Sequence, residues 1–303
     1  MHYLQLLLPD FSLILIGYLL CRHTALNRSV WGAVEQLVYF LLFPVLLFQS
    51  IARSAIDLQS AGTLMGAGLA LGASGIAMAY ALPHLPWLRQ RFDAREHAAS
   101  AQIAFRFNSF IGLAVADRML GPQGLQLIAV LIGVCVPLFN VAAVWPMARH
   151  GQQTFLRELL RNPLIIATAS GLTVSLLGWT TPAWAAPTLD RIGGTSIALG
   201  LMTAGAGLQI QSLARSKALG GAVLTIRHLL LPVSAWLLAR GFGLGPAETT
   251  VLLIFSALPT SSSCYVLAAR MGYNGALVAG LVTLSTALGA LSLPWALGVL
   301  GGH

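Results

Sequence analysis

The sequence predicts an all-α membrane protein with ten transmembrane helices, arranged as two inverted five-helix repeats. Three observations favour this fold class: the composition, the spacing of the apolar runs, and a short sequence that recurs in both halves. Of the 303 residues, 57% are hydrophobic and 9% are charged, whereas about a quarter of a soluble domain is charged. This composition excludes a disordered chain, and it excludes a soluble enzyme or a nucleic-acid-binding protein of ordinary composition.

Ten apolar runs follow one another along the chain, and each is close to the ~20 residues that a spanning helix needs. They lie at 4–21, 30–52, 60–82, 98–117, 122–147, 162–179, 190–212, 218–239, 247–269 and 274–300. Polar, arginine-rich segments occur at 83–97 and 148–161. We expect the second segment to be a cytoplasmic linker between a first repeat, 1–147, and a second repeat, 162–303, of one integral membrane domain.

The basic residues predict the orientation of the helices. The net charge is +8, and most Lys and Arg residues follow odd-numbered helices, which the positive-inside rule places in the cytoplasm. Both termini are therefore expected outside the plasma (bacterial inner) membrane. An odd number of helices per repeat inverts the second repeat, as in many secondary transporters. In agreement, QSIARS at 49–54 recurs as QSLARS at 211–216, at the end of the second helix of each repeat.

The fourth helix of each repeat is predicted to be broken. Helix 4 contains FRFNSFIG at 105–112, and helix 9 contains SALPTSSSC at 256–264. Pro259 lacks a backbone donor and clashes with the preceding turn. The hydroxyl side chains that follow it can bond the freed backbone groups or a ligand, since lipid offers no hydrogen-bond partner. These hydroxyls belong to Thr260, Ser261, Ser262 and Ser263.

Two arginines are predicted deep in the membrane. At ~1.5 Å per residue, Arg106 lies ~12 Å and Arg227 ~14 Å from the cytoplasmic end of its helix. A central arginine costs at least about 2.5–3.5 kcal/mol, so both side chains should face the protein interior or water. Only two carboxylates, Asp10 and Glu35, lie well within helices. This excess of deep positive charge favours an anionic ligand, because a guanidinium fits a carboxylate. The alternative is that Arg106 pairs with Glu35 or with a helix C-terminus.

Asn108 is predicted either to cap a half-helix or to bind the substrate, beside Ser109 and Gly112. The candidates for proton coupling are Asp10, Glu35 and His228. The three cysteines are widely spaced and form no metal-binding motif, so neither a metal nor a cofactor is expected. The predicted substrate-binding set is Arg106, Asn108, Ser109, Gly112, Arg227, Pro259, Thr260, Ser261, Ser262 and Ser263.

Three other functions are alternatives for this sequence. GASG at 72–75 matches a serine-protease nucleophile signature, with Ser74 as nucleophile and His228 as base. Small residues at helix interfaces also produce such tetrapeptides. A channel would need rings of like charge or a filter sequence, and neither is evident. A sodium-coupled symporter could use the hydroxyls after Pro259, but no deep carboxylate completes that site.

The motifs together resemble the auxin efflux carrier family of membrane transporters. The similar segments are 8–19, 37–48, 108–113, 257–259 and 284–295. The resemblance implies ten helices in two inverted repeats, with helices 4 and 9 crossing as broken helices at the substrate site. This plan is shared with the bile-acid–sodium symporters and NhaA-like carriers. Family members often have Gly-Leu-Pro in helix 4, where this chain has Gly112-Leu113-Ala114.

The expected function is secondary transport of small organic anions such as malate, malonate or auxin-like carboxylates, by alternating access. The resemblance also implies bacterial malate and malonate transporters as relatives. The expected partners are the substrate and membrane lipid. Coupling to H+ is favoured over Na+, no nucleic acid is expected, and a homodimer is left open.

Overall fold

The computed structural model describes residues 2–52, 58–85, 93–148, 163–208, 217–261 and 263–301. Across these ranges the regular structure is entirely helical. Among the described residues, five helical stretches are long and apolar enough to cross a membrane: Arg28–Leu46, Gly62–His84, Ala94–Met147, Lys217–Gly241 and Gly275–Leu300. The stretch Ala94–Met147 has 54 residues, enough for two passes of ~20 residues each.

In the described residues of its first half, the chain forms six α-helices. They are α1 (His2–His23), α2 (28–52), α3 (Leu58–Ala81), α4 (94–105), α5 (109–120) and α6 (122–148). Side-chain caps fix two of their starts. The Asn27 carboxamide accepts from the N–H of Ser29 at 3.0 Å before α2, and the Asp93 carboxylate accepts from Arg95 N–H at 2.9 Å before α4. Gly121, with φ +58°, separates α5 from α6.

The described residues of the second half form six more α-helices. They are α7 (Pro163–Leu176), α8 (Ala186–Ala206), α9 (217–241), α10 (Pro246–Ala257), α11 (Ser263–Arg270) and α12 (275–300). Pro246 occupies the first turn of α10, where its missing N–H leaves no helical bond unmade. The Asn274 carboxamide caps α12 through the N–H of Leu277 at 3.1 Å.

Two helices contain a wide π-helical turn just before a proline. In α2 the turn is Val38–Leu42 and precedes Pro44, and in α9 it is Ile226–Leu230 and precedes Pro232. A proline cannot donate to the carbonyl four residues earlier, and its ring crowds that carbonyl. A π-helical turn, whose hydrogen bonds join residues five positions apart, relieves this conflict within the helix. The turn in α9 contains both Arg227 and His228.

The helices pack in two sets. The scaffold bundle is α1, α2, α7 and α8: α1 packs against α8, and Phe43–Ala52 of α2 packs against α7 and α8. Glycines bring α1 and α8 close together, because a Cβ on Gly17 would overlap the backbone of Met202 and a Cβ on Gly205 that of Ile14. Small residues of this kind allow close helix contact in membranes.

The crossover bundle is α3, α4, α5, α6, α9, α10, α11 and α12. Helix α3 packs against α6 and α9, α10 packs against α9, and α11 packs against α12. The GASG sequence serves this packing: a Cβ at Gly72 would lie 2.7 Å from the Phe139 ring, and one at Gly75 would lie 3.3 Å from Phe105.

The two bundles contact each other chiefly along residues 109–148. At the centre of this contact lies Phe110 of α5. Its ring is 4.8 Å from that of Phe43 in α2, and it packs so closely on Gly200 of α8 that a Cβ there would overlap it. A single aromatic side chain of the crossover bundle therefore lies against two scaffold helices.

Each predicted apolar run overlaps a described helix, although several boundaries differ. Residues 94–97, predicted as linker, are helical because Asp93 caps α4. The remainder of that linker from 86 to 92, the linker residues 149–161, and the recurring hexapeptides beyond residues 49–52 lie outside the described residues. The inverted repeat and the orientation of the termini stay predictions.

Candidate functional site

Two helix breaks meet at one place. The chain leaves helical geometry at 106–108 between α4 and α5, where Arg106 has ψ 147°, and at 258–261 after α10, where Leu258 has ψ 143°. Two hydrogen bonds join the breaks. The Asn108 N–H donates to the Pro259 carbonyl at 2.8 Å, and the Thr260 hydroxyl donates to the Ile103 carbonyl at 2.8 Å. We call residues 106–108 and 258–261 the crossing.

Asn108 starts the half-helix on the far side of the first break. Its side chain is buried, and its Oδ1 accepts from the N–H groups of Phe110 at 3.0 Å and Ile111 at 3.3 Å. This is an N-cap, one of the two roles predicted for it. Ser109, the first residue of α5, is half-buried. Helix 4 is thus broken even though residue 114 is alanine.

Gly112 and Pro259 shape the contact between the two segments of the crossing. A Cβ at Gly112 would lie 2.8 Å from Cδ1 of Leu258, so a larger residue there would require the Leu258 side chain to move. Pro259 in turn lies against Gly289 of α12, where a Cβ would be 3.0 Å from the proline ring. Both glycines therefore provide room for the non-helical segment that contains Pro259.

Arg106 lies half-buried at the crossing. Its Nη1 donates to Gln102 Oε1 at 3.0 Å, and its Nη2 donates to Asn140 Oδ1 at 3.3 Å and to Ser263 Oγ at 3.1 Å. All three of these partners are neutral. The expected alternative partner, Glu35, forms an ion pair with Arg28 at 3.6 Å instead. The Cys264 thiol also bonds this guanidinium, so the partners of Arg106 within the described ranges are uncharged side chains.

The hydroxyl residues after Pro259 have different surroundings. Thr260 is fully buried between the two breaks. The Oγ atoms of Ser261 and Ser263 are 2.9 Å apart, and Ser261 Oγ accepts from the Ser263 N–H at 3.3 Å at the start of α11. Ser262 lies outside the described residues.

A second polar network lies on the other side of Thr260. The ring nitrogens of His228 are each 2.8 Å from a hydroxyl, Nε2 from Ser285 and Nδ1 from Ser292. Ser285 Oγ accepts from the Thr260 N–H at 2.9 Å and donates to Thr260 Oγ1 at 3.1 Å. The structure does not bring the two residues of the protease alternative together: the Ser74 hydroxyl donates to the Leu71 carbonyl at 2.7 Å, and His228 lies beside Ser285 and Ser292.

Arg227 is fully buried behind the crossing, with 1% of its surface exposed. Its Nε donates to the Leu258 carbonyl at 2.6 Å, and its Nη2 donates to the Phe255 carbonyl at 3.1 Å. The guanidinium therefore caps the C-terminus of α10. Substrate contact by Arg227 stays a prediction.

The three proton-coupling candidates differ in their bonding partners and in how far the structure describes them. Glu35, with 27% of its side chain exposed, pairs with Arg28. The side chain of Asp10 lies outside what the structure describes. His228 bonds Ser285, which bonds the crossing. In the described part of the chain, no group of three or more His, Cys, Asp or Glu side chains could hold a metal ion.

Sequence reasoning missed two neighbours of Arg106. Gln102 precedes it by four residues and so lies on the same helix face, which the helical period alone could have indicated. The contact of Asn140 with Arg106 was harder to predict, since Asn140 is a lone amide in the apolar run of α6. A lone amide in a spanning helix usually bonds another helix, although its sequence position does not say which one.

Phenylalanine rings surround the crossing on its apolar side. The Phe107 ring is 4.4 Å from that of Phe255, and the Phe139 ring lies 5.7 Å from Phe105 and 5.9 Å from Phe107. These contacts join α4, α6 and α10 around the non-helical residues. They bury large apolar area next to the polar groups of the break, which keeps those groups away from lipid.

The chain is similar to known membrane transport proteins. A family model described as membrane transport protein matches residues 145–297, which include Arg227, the second break and His228. A curated protein of Rhizobium meliloti (strain 1021), named "Putative malonate transporter", is 23% identical over 287 residues, covering 88% of this chain and 86% of the relative.

Proposed function

Because the chain belongs to the membrane transport protein family, that of the auxin efflux carriers, we propose that it is a secondary carrier of small organic anions. It is a multi-pass membrane transporter and not an enzyme. The proposed substrates are dicarboxylates such as malonate and malate, with auxin-like carboxylates as larger candidates. The name of the relative from Rhizobium meliloti supports malonate as the first to test.

The Arg106 guanidinium is the observation that carries this proposal. A guanidinium has five N–H donors. Gln102, Asn140 and Ser263 engage three of them, and the Cys264 thiol also bonds this guanidinium. Its described partners carry no negative charge, and a cation within a spanning segment is costly. An anionic substrate would supply the missing negative charge at the helix break.

The start of α11 supports an anion at the same place. Ser263 is the first residue of this eight-residue helix and bonds Arg106 directly. The N–H groups in the first turn of a helix have no partner within the helix and carry partial positive charge. A carboxylate beside Arg106 would gain from both positive groups, whereas a cation would be repelled by both.

The proposed mechanism is alternating access, in which the crossover bundle moves against the scaffold bundle. Carriers built from inverted repeats hold the substrate at broken helices and move one bundle past the other. The packing of Phe110 on Phe43 and Gly200 is where such movement would change side-chain contacts. The ten-helix inverted plan, with both termini outside the plasma membrane, is part of this proposal.

Proton coupling is the proposed energy source. Its candidates remain Asp10, Glu35 and His228. Of the side chains described, His228 is the candidate joined to the crossing, through Ser285 and Thr260. A homodimer remains open.

The test is uptake of labelled malonate by proteoliposomes, with and without an imposed pH gradient. We compare the protein with Arg106→Gln and, as a matched control, with Arg118→Gln, an exposed arginine further along the same stretch. Hydrogen bonds to a charged group are worth about 1.5–3 kcal/mol, so Arg106→Gln should lower the uptake rate at low substrate by roughly 10- to 150-fold.

The control variant should transport malonate like the unaltered protein. Malate and an indole carboxylate, added unlabelled, should compete. Equal uptake by Arg106→Gln and Arg118→Gln would remove Arg106 from the site. No uptake and no competition by any of the three acids would contradict the substrate class.

A further inference from the structure

Arg227 is a buried charge that the proposed anion site does not use. It lies in the π-helical turn of α9 with 1% of its surface exposed. Two of its nitrogens donate to backbone carbonyls, Nε to Leu258 at 2.6 Å and Nη2 to Phe255 at 3.1 Å. A charge buried this fully needs either an opposite charge or strong hydrogen bonds. Here carbonyl dipoles take that role.

These carbonyls lack their normal partners because of the helix break. In a continuous helix the Phe255 carbonyl would accept from residue 259, which is a proline and has no N–H. The Leu258 carbonyl lies beyond the last residue of α10, Ala257. The Ala257 carbonyl itself accepts from the Ser292 hydroxyl at 3.0 Å. The end of α10 thus presents several carbonyl oxygens, together with the partial negative charge of a helix C-terminus.

Such a cluster of carbonyl oxygens suits a monovalent metal cation. In carriers with discontinuous helices, unwound carbonyls and half-helix C-termini coordinate the coupling Na+. In this protein the guanidinium of Arg227 already bonds the carbonyls of Phe255 and Leu258. Its positive charge would also repel a second cation in the same buried space.

We propose that Arg227 is a tethered cation that occupies the coupling-cation position at the C-terminus of α10, so that transport needs no Na+. The inference rests on the proposed carrier function and adds the reason why Na+ is not needed as a coupling ion. Arg227 supplies permanently the charge that a sodium symporter takes from solution. The two arginines then have separate tasks: Arg106 faces the anion, and Arg227 neutralises the helix end behind it.

The first measurement uses the unaltered protein. Malonate uptake into proteoliposomes and the melting temperature in detergent are measured in NaCl and in choline chloride at equal ionic strength. Both should be the same in the two salts. Uptake that requires Na+ would overturn the proposal, because a tethered cation in that position leaves no need for a free one.

The second measurement removes the tethered cation. Arg227→Ala leaves two buried carbonyls unpaired, so in choline its melting temperature should fall by roughly 5 °C or more. Guanidinium or Na+ at millimolar concentration should raise it again by about 2 °C or more, since either ion can enter the vacated space. Arg240→Ala is the matched control: Arg240 is an exposed arginine of the same helix, 4.0 Å from the Trp236 ring.

The melting temperature of Arg240→Ala should be alike in choline, NaCl and guanidinium. An Arg227→Ala variant that responds to guanidinium and Na+ no more than this control overturns the proposal. If Arg227→Ala does not fold, Arg227→Lys is used, which keeps a tethered charge but loses the second hydrogen bond. Guanidinium and Na+ should then raise the melting temperature of Arg227→Lys no more than that of the unaltered protein, and a larger rise would overturn the proposal.

Melting is measured without substrate, so it is independent of the proposed transport. Recovery of Arg227→Ala by cations in a protein that carries no organic acid would refute the function and keep the cation site. Malonate uptake that depends on Na+ would keep the proposed carrier function and refute the tethered cation.

Discussion

Replacing Thr260 with valine removes one hydroxyl from the crossing and changes the volume of the side chain very little. Thr260 is fully buried. Its hydroxyl donates to the Ile103 carbonyl at 2.8 Å and accepts from Ser285 at 3.1 Å. In a continuous helix the Ile103 carbonyl would be bonded by residue 107, but the chain leaves the helix at Arg106. Thr260 therefore replaces a helical hydrogen bond that the break has removed.

The expected cost follows from this one orphaned carbonyl. A buried acceptor left unpaired costs about 1–3 kcal/mol. The backbone bond from Thr260 N–H to Ser285 Oγ at 2.9 Å does not involve the side chain and should persist. At roughly 2–4 °C for each kcal/mol, the melting temperature of Thr260→Val should fall by about 2–12 °C.

The assay is thermal unfolding in detergent, with Thr225→Val as control. Thr225 also donates its hydroxyl to a carbonyl, that of Gly221 at 2.8 Å, but on an exposed helix surface. That carbonyl belongs to the interior of the same helix, so the control should change by about 1 °C or less. Equal melting of the two variants would refute the view that Thr260 holds the two breaks together.

Three further outcomes are expected. Asn108→Ala should lower the free energy of unfolding by the about 0.5–2 kcal/mol that a helix cap contributes. Asn108→Asp should keep the cap and yet lose malonate uptake, because its carboxylate would neutralise Arg106. Normal uptake by Asn108→Asp would contradict this. Gly200→Leu should overlap Phe110 and slow transport far more than it weakens malonate binding, measured as uptake against calorimetric affinity, and equal losses would contradict a role in bundle movement. Glu35→Gln removes a partly exposed ion pair worth about 0–1 kcal/mol, so uptake and its response to a pH gradient should persist; loss of that response would make Glu35 the proton site.

The helices of this protein could be predicted because the bilayer imposes a simple rule. A spanning segment must bond its own backbone and present apolar side chains, so the runs at 122–147 and 274–300 are visible in the sequence itself. The breaks could also be predicted, since Pro259 cannot complete a helical bond and Asn108 is a strong cap in an apolar run. Both conclusions rest on local chemistry.

The partners of the charged residues could not be predicted in the same way. Arg106 and Glu35 are opposite charges in the fourth and second predicted helices, yet Glu35 bonds Arg28 of its own helix. Arg227 resembles Arg106 in depth, but it bonds the end of α10, thirty-one residues away at Leu258. Which helix face lies against which depends on the packing of the whole bundle, and hydropathy carries no information about it.

The GASG sequence shows the same limit. As a tetrapeptide it matches a catalytic signature. In the structure Gly72 and Gly75 make room for Phe139 and Phe105, and the Ser74 hydroxyl bonds its own helix. Glycine in a spanning helix is more often required by a neighbouring side chain than by chemistry.

The central claim is that Arg106 at the crossing binds an organic anion, and direct binding tests it most closely. Calorimetric titration of the purified protein with malonate, and with its neutral diamide, separates charge recognition from shape. We expect saturable binding of malonate, none of the diamide, and loss of malonate binding in an Arg106→Gln variant that still unfolds in one cooperative transition. Equal affinity for the acid and the diamide, or full malonate affinity in Arg106→Gln, would contradict the claim.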